Sequence, residues 1–200
     1  MKTVYLVRHA ETTWNAENRV QGVLDLPLSP TGIIQTQKTV ALLSGTSFDV
    51  IFSSPLARAR AIAEPVSHNL GMSTECVPDL REIAFGDWEG HTWNELTALY
   101  PETLAAWERH LPDARPDGGE SLAEAGVRAT KVRTLFESDA GQLLLAVAHG
   151  GFNRVLICTL LGVPFSELGR FPQSNASISI FELDQNGWHT VLLDSVTHLT

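Results

Sequence analysis

Cysteine is almost absent from this chain. Cys76 and Cys158 are the only two, far apart and without C-x-x-C or zinc-finger spacing, which leaves no basis for a disulfide framework or a structural zinc site. A reducing, cytoplasmic setting is the expectation. Positive charge is scarce too: 14 Lys and Arg stand against 23 Asp and Glu, a formal net charge of -9. A nucleic acid would be repelled by such a surface unless basic residues cluster locally, so none is expected as a partner. Apolar runs are all shorter than a membrane span, and the one in Met1 to Val7 is too short for a signal peptide, so no membrane association is expected. The spacings H-x-H and H-E-x-x-H, which mark many catalytic metal sites, are missing as well, and neither a metal nor another cofactor is expected.

What is present is enough apolar residue, 44% of 200, to bury a substantial core, and the length suits one domain over residues 1–200. Short apolar runs alternate with stretches of helical spacing. This pattern predicts an α/β fold, a three-layer sandwich with a mostly parallel central sheet and helices on both faces. Thr3–Val7, Val50–Phe52 and Leu143–Val147 carry no internal charge and read as central strands buried on both sides. Ser29-Pro30-Thr31-Gly32 supplies helix-start chemistry, with Ile33, Ile34, Val40, Leu42 and Leu43 expected on the inner face of the helix that follows. Further helices are predicted over 56–70, kinked or shortened at Pro65, over 121–137 and over 151–161. The tail reads as an edge hairpin, 177–183 and 188–193, turning at Asn186-Gly187. Residues 80–119 break the alternation with Trp88, Trp93, Tyr100 and Trp107 among prolines, and are expected to form a cap-like insertion. Each tryptophan taken singly is more simply explained as core.

In open α/β sheets ligands bind beyond the carboxyl ends of the strands. Here the first strand ends in Arg8-His9. The second ends in Ser53-Ser54-Pro55, with Arg58 and Arg60 one turn into the next helix, and the third in His149-Gly150-Gly151. His68, His91, His110, His189 and His198 have no such position and are read as structural. Arginine forks match phosphate oxygens, a helix N-terminus offers N–H groups, and a glycine there allows close approach, so the three ends together suit a phosphate. A neutral imidazole beside it is a candidate nucleophile.

These residues carry a family resemblance. Leu6-Val7-Arg8-His9-Ala10-Glu11-Thr12 with Trp14-Asn15, Val20-Gln21-Gly22, Asp25-Leu26-Pro27-Leu28-Ser29, Ser53-Ser54-Pro55-Leu56-Ala57-Arg58, Leu80-Arg81-Glu82 with Phe85-Gly86-Asp87-Trp88-Glu89-Gly90, and His149-Gly150-Gly151 run in order along nearly the whole chain. Together they resemble the histidine phosphatase superfamily in its phosphoglycerate mutase-like branch. The resemblance implies that His9 attacks phosphorus to give a phosphohistidine. Arg8, Arg58 and His149 would surround the transferring oxygens, with Asn15 adding a hydrogen bond and Gly150 beside them. Glu82 would protonate the leaving alkoxide and then activate water, with Glu11 or Asp87 as the neighbouring carboxylate that favours its proton. Without the resemblance, an ion pair of Glu82 with Arg81 or Arg60 would be the simpler reading. Gln21 and Gly22 would line the entrance, with Arg60 near it.

Two positions depart from the commoner family pattern. Ala10 stands where glycine is usual and would be strained if that residue needs φ > 0; Ala61 stands where many relatives have threonine. The chain is short and lacks the basic insertion by which the family's mutases hold a substrate carboxylate. The resemblance therefore implies a metal-independent phosphatase of small-molecule phosphate monoesters. A phosphoglycerate mutase, a metallophosphatase and a non-catalytic phospho-ligand binder are the alternatives, and a homodimer is compatible with all of them.

Overall fold

The computed structural model describes residues 1–200. Strand β1 (Lys2–Arg8) leads through a short helix α1 (Thr13–Ala16) to α2 (Pro30–Leu43), β2 (Val50–Ser53), α3 (Ala57–Asn69) and β3 (Thr74–Cys76). After two 3-10 turns come α4 (Trp93–Leu99), α5 (Pro101–Glu108) and α6 (Leu122–Ser138), then β4 (Leu143–Ala148), α7 (Gly150–Leu161) and the hairpin β5 (Ile178–Asp184) and β6 (Gly187–Ser195). The six strands form one sheet in the order β3-β2-β4-β1-β5-β6. The first four in that order run parallel and the hairpin is antiparallel at the edge. No helix is long and apolar enough to cross a membrane.

The uncharged strands follow from the layering. On β4, Leu144, Ala146 and Ala148 face the side covered by α6 and α7, while Leu145 and Val147 face the side covered by α2 and α3. On β1, Val4 and Leu6 share the first core and Val7 the second. A strand buried on both faces has no polar face to alternate with, and so reads as one continuous apolar run. The short edge strand β3 was not foreseen, because its three residues Thr74, Glu75 and Cys76 are partly or fully exposed and carry no apolar pattern.

Ser29 caps α2 as expected, its Oγ accepting from Gly32 N at 2.9 Å. The inner face of that helix is a different one. Leu43 is buried, but Ile33, Ile34 and Leu42 are about half exposed, at 50%, 55% and 51%. Gly32 decides the rotation: a Cβ there would come within 1.9 Å of the Glu11 carbonyl oxygen. The helix therefore turns Gly32, Thr39 and Leu43 inward, a tertiary contact overriding the apolar pattern. Helix α3 is not shortened at Pro65 but runs on through it to Asn69. That proline lies on the exposed side, where solvent can satisfy the carbonyl left without a donor.

Because the Gly32 contact is backbone against backbone, Gly32→Ala is expected to cost about 1–3 kcal/mol of stability. Chemical denaturation would measure it, and a variant as stable as the parent would refute this account of how α2 docks.

Candidate active site

Parallel pairing puts the carboxyl ends of β1, β2 and β4 at one edge, with Arg8 opposite Ala148 and Ser53 opposite Val147. A cleft of about 250 Å³ opens there, lined by Arg8, His9, Arg58, Glu82, Gly150 and Gly151 at its floor. Both arginines are held by loop carbonyls. Arg58 Nη1 donates to the Leu24 carbonyl at 2.6 Å and Nη2 to that of Gly22 at 2.7 Å, while Arg8 Nη1 donates to the Gln173 carbonyl. Burial depresses each guanidinium to about 10, the nearby Glu82 carboxylate acting in the opposite direction.

His9 is 3% exposed, and its Nδ1 lies 2.7 Å from the Ala10 carbonyl oxygen. A carbonyl only accepts, so Nδ1 carries the proton and the Nε2 lone pair is left free. Ala10 itself does not lie in the left-handed region, so alanine brings no strain there. The His9 carbonyl in turn accepts from Ala176 N at 3.0 Å, and Ala176, with φ of +58°, is held in a conformation alanine seldom adopts.

His149 stands at the expected end of β4, as the residue that precedes α7. It is wholly buried and is not among the lining residues. Its Nδ1 accepts from Arg58 Nε at 3.2 Å, which places the ring proton on Nε2, 2.7 Å from Ser54 Oγ. With both nitrogens engaged, His149 holds Arg58 on one side and Ser54 on the other, its ring centre 5.1 Å from that of His9. Burial first, then Arg58 and Arg8 for His9, and Arg58 and His9 for His149, hold both imidazoles well below the ordinary 6.5.

Glu82 is buried, not paired with Arg81 or Arg60. Its Oε1 accepts from Ile83 N at 2.9 Å and Phe152 N at 2.8 Å, and Oε2 from Gly151 N at 3.0 Å. The Gly151 and Phe152 amides at the start of α7 thus donate to a resident carboxylate, while the Gly150 amide, in a residue that lines the cleft, has no partner within the protein. The glycines serve the same purpose: a Cβ on Gly151 would approach Glu82 Oε1 to 2.8 Å, and one on Gly150 would approach Arg8 Nε to 3.0 Å. Glu11 and Asp87 do not line the cleft; Glu11 accepts from Ser29 Oγ at 2.6 Å.

Asn15 lines the cleft with its Oδ1 already accepting from Thr12 N and Asn175 Nδ2, leaving its own Nδ2 as the free end. Gln21 and Gly22 line it as expected. Arg60 does not, being paired with Glu64 at 3.5 Å on the exposed side of α3. Among the lining residues that were not anticipated are Arg19, His110 and Arg154. Arg154 was detectable as the residue four past Gly150, on the same face of α7. Trp93 and Trp107 also line the cleft, whereas Trp88 is completely buried behind them, 5.9 Å from Trp107 and 6.4 Å from Trp93 between ring centres.

The model of the histidine phosphatase superfamily, branch 1, matches residues 4–195. The chain belongs to this superfamily. It is 31% identical to a putative phosphoserine phosphatase of Hydrogenobacter thermophilus, over 99% of this chain and 98% of that one. It is 32% identical to a probable phosphoglycerate mutase of Cronobacter sakazakii, over 100% and 95%. Among solved structures, a mycobacterial glucosyl-3-phosphoglycerate phosphatase in complex with VO3 superposes with a TM-score of 0.88 at 27% identity, covering 98% of this chain and all of that one.

In this histidine phosphatase the two buried rings remain neutral under conditions that protonate an ordinary imidazole. Unfolded histidines take up protons below about pH 6.5 while these two do not, so the unfolded state binds more protons and stability falls as the pH is lowered through that value. The NMR ring resonances of His9 and His149, assigned through His9→Asn and His149→Asn, are expected to stay at their neutral positions through pH 6.5. Titration of either near 6.5 would contradict the geometry.

Proposed function

We propose that the protein hydrolyses small-molecule phosphate monoesters through a phosphohistidine formed on His9. The observation that carries this reading is the His9 ring, its Nδ1–H fixed on the Ala10 carbonyl and its Nε2 free in a cleft lined by Arg8 and Arg58. In the first step Nε2 attacks phosphorus and the P–O bond to the leaving alkoxide breaks. Charge accumulates on the transferring oxygens, where Arg8, Arg58 and the Asn15 amide meet it. Glu82, entering as the acid, gives its proton to the alkoxide. The resulting carboxylate then takes a proton from the water that attacks phosphohistidine, which returns His9 and releases phosphate. His149 contributes by holding Arg58 in place.

No group of three or more His, Cys, Asp or Glu side chains is arranged to hold a metal ion, and two guanidiniums beside His9 would oppose one electrostatically. Turnover of p-nitrophenyl phosphate in excess EDTA, with His9→Ala lower by on the order of 10⁴-fold or more, is the expected result. Chelator-sensitive turnover, or an unaffected variant, would sink the assignment.

Residues 80–119 act as the cap that selects the alcohol. Phe85, Trp93 and Trp107 give the outer cleft an aromatic wall suited to bulky or partly apolar esters, with Arg19, His110 and Arg154 also lining it. Trp93→Ala and Trp107→Ala are expected to change the ratio of kcat/KM between large and small esters. Trp88→Ala, which empties the core behind them, costs stability of about 3–5 kcal/mol. Unchanged ratios in the first two variants would remove the cap from the account.

A further inference from the structure

The buried ion pair of Arg128 with Glu120 has no part in the reaction as described. Arg128 projects from α6 at 5% exposure, and Glu120, 9% exposed, immediately precedes the Ser121 cap of that helix. Their contact is bidentate: Nε to Oε1 and Nη2 to Oε2, each 2.7 Å. The remaining fork points at main chain. Nη1 donates to the Asp79 carbonyl at 2.6 Å and the Arg81 carbonyl at 3.0 Å, the second belonging to the residue just before Glu82. Glu120 N donates to the carbonyl of Ala84, two residues beyond Glu82, at 2.8 Å. The guanidinium carbon also sits 4.5 Å from the centre of the Phe152 ring, and the Phe152 amide is one of the donors to Glu82 Oε1.

A buried pair is weak as a source of stability alone, since an apolar replacement of similar volume often serves as well. What an apolar group could not do is hold the Asp79 and Arg81 carbonyls just before Glu82 while fixed to a residue whose own main-chain amide holds Ala84 just beyond it. We propose that Arg128, fixed by Glu120, is a positioning residue for Glu82. It sets the main chain flanking the carboxylate and braces Phe152, so that the acid meets the leaving oxygen. This rests on the reading of Glu82 as the proton donor. Proton donation matters most when the leaving group is poor, so a displaced Glu82 penalises poor leaving groups selectively.

The test compares kcat/KM for phenyl phosphate and p-nitrophenyl phosphate, two esters of similar shape whose alcohols differ in acidity. This constant ends with departure of the alcohol, and the ratio of the two values is independent of how much enzyme is folded. Arg128→Lys keeps a cation for Glu120 but cannot span both contacts, and Glu120→Gln weakens the fork from the other side. In both, the phenyl ester is expected to lose on the order of tenfold more than the nitrophenyl ester, with a larger selective loss in Glu82→Gln. An unchanged ratio in Arg128→Lys and Glu120→Gln, against a shifted one in Glu82→Gln, would overturn the proposal and leave the pair a purely structural one. An unchanged ratio in Glu82→Gln would instead overturn Glu82 as the acid, and the positioning role with it.

Discussion

Two guanidinium groups withheld from water govern the architecture of the cleft. Arg8 and Arg58 are desolvated deeply enough to be brought down to about 10, and such charges persist inside a protein only when their N–H groups are met. Loop carbonyls supply much of this for Arg58, through Gly22 and Leu24; Arg8 has the Gln173 carbonyl on Nη1, while its buried Nε has no partner within the protein. The loop after α1 and the loop before the final hairpin are therefore tied to the sheet by the very groups that would bind phosphate. Burial, and after it the same charges, keep His9 and His149 neutral, and the Glu82 carboxylate, held by three main-chain amides, stands among them.

The central layer was readable because both faces of β1, β2 and β4 are covered, so burial is written into consecutive residues. The convergence of Arg8, His9, Arg58 and Gly150 followed from strand ends alone, and Glu82 from the family pattern around it. What escaped was whatever depends on the angle at which elements meet. The rotation of α2 is fixed by Gly32 against the Glu11 backbone, a contact between residues more than twenty positions apart. His149 was placed at the correct end of β4, but its sequence position gave no sign that both ring nitrogens would be engaged by Arg58 and Ser54. Arg60 was close in sequence to Arg58, yet two positions along a helix turn a side chain to another face.

The glycine pair after β4 shows how a familiar motif can serve a different partner. Gly150 and Gly151 leave room at the start of α7, as an anion-binding helix terminus would require. Here that room is filled by the Arg8 and Glu82 side chains. The positive end of the helix thus meets the Glu82 carboxylate through the Gly151 and Phe152 amides, and the Gly150 amide is left over beside Arg8. The division allows one short segment to position two oppositely charged groups side by side.

The bond from His9 Nδ1 to the Ala10 carbonyl carries an evolutionary consequence. The tautomer of His9, the proposed nucleophile, is selected by a main-chain atom of the adjoining residue, and no change of side chain at position 10 deletes that acceptor. Since the backbone there avoids the left-handed region, glycine is not obligatory either. What limits the choice at position 10 is space, for Ala10 is fully enclosed by the core beneath β1. Selection can vary this position among small residues without disturbing which nitrogen of His9 bears the lone pair.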